Sequence, residues 1–229
     1  MRRPTGKLLT KKRLNLYMRQ STELKDSVCS PIPELFVAAK YLDAALSAHM
    51  IGNFSLAKTL LKSADMEVLR EWTESHWGAN TPHKEIVFND TSVPFISKKD
   101  RISVRMPSKY EKARLHKRDR FHCRFCGVPV IRKEVRDALK GLYPDEVPWG
   151  RRNREQHAGF QALWLQYDHV LPHARGGDNS IDNMVITCAP CNYVRMDNLV
   201  IEMGVSDPFS RDPINTNWDG LERLLRHNA

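Results

Sequence analysis

Between Tyr167 and Arg195 the chain gathers one carboxylate, one imidazole and two amides that can serve a single reaction: Asp168, His169, Asn183 and Asn192, arranged around the turn Gly176-Gly177. A histidine neutral near physiological pH can accept a proton, a carboxylate and an amide oxygen are hard donors for a cation, and Gly-Gly lets the chain double back between them. The same stretch carries Cys188 and Cys191, and a matching pair, Cys123 and Cys126, lies upstream. Two Cys-x2-Cys pairs supply four thiolates at the local spacing of a closed tetrahedral zinc site. Of the five cysteines only Cys29 is left over. Disulfides within these pairs would suit a secreted protein better than this one. The spacing therefore points to a catalytic centre beside a structural zinc held by Cys123, Cys126, Cys188 and Cys191.

Such groups need elements to hold them. Leu163 to Tyr167 reads as a short apolar strand delivering Asp168-His169, after which Pro172 and Gly176-Gly177 open an extended loop. Asn183 to Thr187 returns as a second strand, and Pro190 starts a helix with Asn192 on its first turn. The polar residues gather at one end of this strand, loop, strand and helix.

These residues resemble the HNH nuclease family. Asp-His-x2-Pro from Asp168, Gly-Gly-Asp from Gly176, Asn183-Met184 and Cys-x2-Cys-Asn ending at Asn192 stand in the family's order, within the stretch from Phe121 to Asn198. The resemblance implies an α+β fold: a ββα-metal core with a four-cysteine zinc clip. It also implies a metal-dependent endonuclease that hydrolyses DNA phosphodiester bonds, by nicking or by cutting both strands. That chemistry needs a nucleophilic water, a base for its proton and positive charge for the oxygens as the bond breaks. His169 is the implied base. Asp168 and Asn192 are the implied ligands of a divalent cation, and hard oxygen donors favour magnesium or manganese. Asn183 holds the loop and orients the base. Arg175 and Arg195 are placed to grip phosphate, although Arg195 stands where many members have Lys and Asn192 where many have His.

Taken singly, the same residues have ordinary readings: Asp168 as a turn cap, His169 as a core histidine, Asn183 and Asn192 as turn and capping residues. Four of them in order inside a zinc clip favour the nuclease. The competing reading is a zinc-stabilised DNA-binding module with a silent HNH site.

The net charge of +9 is unevenly spread. Residues 1–20 hold seven Lys or Arg and no acid, and residues 95–120 hold ten against three, whereas residues 121–229 hold thirteen against fourteen. Concentrated basic segments suit contact with a phosphate backbone, which adds affinity without sequence readout. In the second segment Lys117, Arg118 and Arg120 are the candidates. No apolar run approaches the length of a membrane span and no signal peptide is visible, so a cytoplasmic protein is expected.

The expected organisation is a basic arm over 1–20, a helical accessory domain over 21–80, a Pro-containing linker over 81–108 and the nuclease domain with a C-terminal helix over 109–229. Helices are predicted from Glu34 to Met50, from Phe54 to Ser63 and, capped by Asp65, on to Trp77. This helical part can dock on the nuclease core, position DNA or meet a protein partner. Further helices are predicted over Tyr110 to Arg120 behind a Ser108 cap, over Ile131 to Leu142, over Leu199 to Met203 and over Trp218 to His227. Trp149 and Trp164 read as core rather than as base-stacking platforms. Standalone HNH proteins with helical extensions recur in prokaryotic anti-phage systems, and the resemblance implies that role.

Overall fold

A computed structural model describes residues 24–77, 81–88 and 92–227. The basic arm expected over 1–20 lies outside the described residues. Among those residues the chain forms eight α-helices, α1 to α8, and one pair of strands.

The first helix, α1 (Pro33–Met50), starts on a proline whose missing N–H has no intrahelical partner to lose. Leu35, Ala38, Ala39, Leu42, Ala45 and Leu46 recur at helical spacing, and all are buried. Asn53 caps α2 (Phe54–Ser63) by accepting from Leu56 N at 3.1 Å. The expected Asp65 cap on α3 (Glu67–Ser75) is not formed; Met66 occupies that position. Asp65 instead accepts from Ala158 N at 2.6 Å and from Arg70, so its carboxylate ties this helical part to a distant segment.

Other bonds repeat that coupling. His49 Nδ1 meets Tyr143 Oη at 2.7 Å, His157 Nε2 meets Leu61 O at 2.9 Å, and Arg70 donates to Asn153 O and Gln156 O. Leu35, Leu42 and Leu61 belong to the same buried cluster as Phe125, Ile131 and Ile186. The N-terminal helices are thus packed into the core that surrounds the hairpin.

The basic helix α4 (Lys109–Asp119) has a full capping box, Ser108 with Glu111. It leads into the first cysteine pair through Arg120 and Phe121, both with left-handed backbone at φ 50° and 55°. The long insert carries α5 (Lys133–Leu142) and α6 (Ala158–Ala162). Trp149 and Trp164 meet edge to face with centroids 6.0 Å apart, and the Arg136 guanidinium lies 3.7 Å from the Trp149 ring centroid. Both rings pack within the protein.

Strand β1 (Leu165–His169) runs antiparallel to β2 (Met184–Cys188), with Leu165 opposite Cys188 and His169 opposite Met184. All five residues of β2 are buried. Helix α7 (Ala189–Arg195) packs on both strands, α4 packs on β2, and Asp119 Oδ2 accepts from Ile186 N at 2.9 Å. The last helix, α8 (Arg223–His227), begins five residues later than expected, because Gly220 and Leu221 have positive φ of 68° and 62° that a continuous helix does not allow. Trp218 still anchors this end through Nε1 to Val130 O at 3.3 Å, and Leu221 and Leu224 are buried. Residues 199–203, expected as a helix, form turns instead.

The stretch expected as a linker, 81–108, is fastened along the loop and turns around the hairpin. Val87 N donates to Glu202 O and Ile96 N to Ala174 O, each at 2.8 Å. Lacking a ladder of its own, this extended backbone satisfies polar groups on its neighbour.

Candidate active site

At one end of the hairpin four thiols converge. The Sγ atoms of Cys123, Cys126, Cys188 and Cys191 all lie within 4.8 Å of one another, none is in a disulfide, and Cys126 Sγ is 3.6 Å from Cys188 Sγ. A tetrahedron with Zn–S bonds of about 2.3 Å has edges of about 3.8 Å. The donor set therefore fits zinc. Burial pushes the thiols of Cys126, Cys188 and Cys191 up, whereas hydrogen bonds from the other three outweigh burial at Cys123 and draw it well below its usual value. Ionising all four sulfurs in so small a space would require a cation.

The first pair is set by a tight turn, with Gly127 at φ 78° and its N–H on Cys123 O, and it is joined to β2 through Arg124 N and Ile186 O at 2.8 Å. Cys29, left over in the sequence, is buried beside Cys191 and His76. Burial raises its thiol, but hydrogen bonds to those neighbours prevail and bring it to about 7.

At the other end of the hairpin the loop 170–183 is closed by Asn183. Its side chain accepts from Leu171 N at 2.7 Å and donates to Leu171 O at 3.2 Å and Asp178 O at 2.8 Å. The Gly-Gly turn is a packing requirement, since a Cβ on Gly177 would stand 1.7 Å from Leu171 O and 2.7 Å from the Asn183 amide.

His169 is buried, and its Nε2 lies 2.8 Å from Asn179 Oδ1. The Asn179 amide nitrogen donates to Val104 O at 2.9 Å and Met106 O at 3.2 Å, which fixes the oxygen toward the ring. An amide oxygen only accepts, so Nε2 carries the proton and Nδ1 of the neutral ring keeps a lone pair. Burial is the main cause of a lowered His169 pKa, against the raising effects of Asn179 and Asp168. The site thus holds a neutral imidazole with its basic nitrogen defined. Asn183, expected to orient the base, holds the loop, while the ring's recorded bond goes to Asn179. Sequence reasoning passed over Asn179 because it follows Asp178 in a stretch that reads as a turn.

Asp168 and Arg195 form a buried pair, with Arg195 Nε 2.7 Å from Oδ2 and Nη2 2.5 Å from Oδ1. The same guanidinium reaches His169 O and Asn198 O. Arg195 is fully buried and does not present itself to phosphate, contrary to expectation. Arg175 needs the same correction. It forks onto Glu202 at 2.9 and 2.8 Å, donates to Val93 O and Asp197 O, and lies against the Phe95 ring. Planar guanidinium groups pair two-pronged with carboxylates, and two buried carboxylates have claimed these two. Asn192 is half-buried and no hydrogen bond of its side-chain amide is recorded among the described residues. Of the two expected cation ligands, Asp168 has both carboxylate oxygens bonded by Arg195.

Of the basic residues expected to meet DNA, Arg118 is bonded to Asp119, Met184 O and Ile181 O, and Arg120 donates to Asn215. Lys117 is exposed and has no ion pair among the described residues. With Arg114 and these two arginines it lines an open cleft of about 740 Å³.

A search of the curated proteins and of the solved structures gave no match. The family model described as HNH endonuclease matches residues 159–194, from α6 through β1 and β2 into α7. The match thus takes in the hairpin, its loop and the start of the helix behind it.

Proposed function

We propose that the protein is a metal-dependent endonuclease hydrolysing DNA phosphodiester bonds, with His169 as the general base. The observation that carries this reading is the defined tautomer of a buried, neutral His169, with Nε2–H on Asn179 and Nδ1 left to accept a proton from water. Asp168 and Asn192 would hold a magnesium or manganese ion, which supplies positive charge to the phosphate oxygens as the bond breaks. Asn183 keeps the loop closed, and the zinc clip holds the hairpin to the first cysteine pair. The products expected are a 5′-phosphate and a 3′-hydroxyl. The setting we infer is the cytoplasm of a prokaryotic cell, in defence against phage; its support is the helical part packed on an HNH core.

The silent-module reading has one observation in its favour: the Arg195 fork already neutralises Asp168. Supercoiled plasmid with magnesium or manganese, with and without chelator, separates the two. The nuclease reading expects metal-dependent nicking or cutting that chelator stops and that His169→Ala abolishes while zinc content and folding persist. Normal cutting by His169→Ala would remove the assigned base. Binding without cutting under either metal would favour the module.

A further inference from the structure

The stretch 92–107 is a strap laid across the loop that follows His169. Four of its backbone carbonyls take protons from that region: Val93 O from Arg175, Ile102 O from His173 Nε2 at 2.8 Å, and Val104 O and Met106 O from Asn179. Ile96 N returns a bond to Ala174 O at 2.8 Å, and Arg101 Nε closes the strap on Ile96 O at 3.0 Å. The anchors to the loop use the strap's backbone, and no hydrogen bond of the Lys98 or Arg105 side chain is recorded among the described residues.

Between strap and loop lies a cleft of about 260 Å³ lined by Lys98, Arg101, Arg105, His173 and Asp197, together with Ile102, Ser103 and Ala174. With roughly 30 Å³ per water in the liquid, its volume equals about nine waters, ample for a phosphodiester group. Lys98 and Arg105 are exposed, and no ion pair is recorded for Lys98, Arg101 or Arg105 among the described residues. Three cations face the single carboxylate of Asp197, and neighbouring Asp100 is engaged by Ser97 Oγ at 2.5 Å. Concentrated like charge opposes compact folding and attracts anions. The cleft also sits beside the base, because His173 lines it and the His173 and His169 ring centroids are 5.7 Å apart. Meanwhile Arg175 and Arg195 are bound to carboxylates and leave this side of the loop without their charge.

We propose that Lys98, Arg101 and Arg105 form a phosphate subsite that binds the nucleic-acid backbone next to His169. The proposal rests on the nuclease reading for its location, and the strap supplies the charge that the buried arginines do not.

The test uses the full chain with Lys98→Ala/Arg105→Ala, which spares the Arg101 bond, and a triple variant adding Arg101→Ala. Lys99→Ala is the control, exposed on the same strap but outside the cleft lining. Cleavage kinetics are measured on the cutting proteins, and DNA affinity against salt on the same changes in a His169→Ala background. The double variant is expected to raise KM roughly tenfold, equally across DNA sequences, and to flatten the log–log salt slope by up to about 1.8 for two lost contacts. Zinc content and melting should not move, and Lys99→Ala should match the wild type. If the wild type cuts while both variants keep its KM and slope, or Lys99→Ala has the same effect as the double variant, the cleft is a solvated face; the subsite falls and the nuclease reading stands. A wild type that binds without cutting, and loses slope in the variants, keeps the subsite and removes the nuclease reading. A wild type that neither binds nor cuts overturns both.

Discussion

The two ends of one short hairpin are held by different physics. At Cys188, opposite Leu165, β2 ends in a group of four thiols contributed by two local pairs, three of them on buried residues and Cys126 half-buried. At His169, opposite Met184, β1 ends in a polar network whose partners come from far along the chain: Asn179 reaches Val104 and Met106, and His173 reaches Ile102. A thiol end closed by one metal would fail all or none. The histidine end is divided among several bonds, each of modest net worth, and fails by degrees.

The largest effect is therefore expected at the thiol end. Cys191→Ala removes one of four ligands from a site that contributes folding energy outright. The variant should bind less zinc and become insoluble or melt far below the wild type, as read by bound-metal analysis and thermal melting. Retained zinc with unchanged melting would show that the clip does not hold this domain together. A chelator strong enough to strip zinc should reproduce the loss in the wild type.

An intermediate effect is expected behind the hairpin, where Arg195 neutralises Asp168. Arg195→Ala leaves a buried carboxylate without its partner, a loss of about 3–5 kcal/mol in comparable sites. Arg195→Lys keeps the charge but cannot make the two-pronged contact, so it should fall between alanine and wild type. Urea denaturation measures both. Equal stability in all three proteins would mean that the pair is not what stabilises this end.

The same contrast explains what could be read in the sequence. The convergence of the cysteine pairs is legible because a closed metal site needs a short local spacing, and the loop between Asp168-His169 and Asn183 is legible because its Gly-Gly turn is one that the packing requires. The strands were placed to within two residues, their apolar composition matching β2's complete burial. Arg175 and Arg195 were misread because nothing local distinguishes an arginine facing phosphate from one forked onto a carboxylate 27 residues away. The fastening of the strap leaves no trace in the sequence for a related reason. Pro94 and Pro107 break any periodicity, and carbonyl anchors leave no side-chain signature.

The smallest expected effect in stability, and the most informative about mechanism, is at Asn179. Its amide accepts from His169 Nε2 and donates to the strap, so under the proposed mechanism it is a positioning residue acting through the base. Asn179→Ala removes both functions, and kcat should fall roughly tenfold, less than the 10²–10⁴-fold that a general base contributes, because the base itself remains. Asn179→Asp separates them. A carboxylate on Nε2–H stabilises the imidazolium, so it raises the His169 pKa that burial now lowers. The proposed mechanism needs the neutral ring, so the acid limb of the pH profile should lie below the ordinary histidine value of about 6.5 in the wild type and move upward in Asn179→Asp. Activity should therefore drop most near pH 6 and recover toward pH 8. Linkage gives a second readout of the same sign. With the folded pKa lowered, the unfolded chain takes the proton first, so His169's contribution to stability is complete above about 6.5 and is lost as pH falls toward the folded value. In Asn179→Asp that acid-side loss should shrink. A purely structural Asn179 would lower activity in both variants without moving the profile, and an unshifted acid limb in Asn179→Asp would separate this amide from the base.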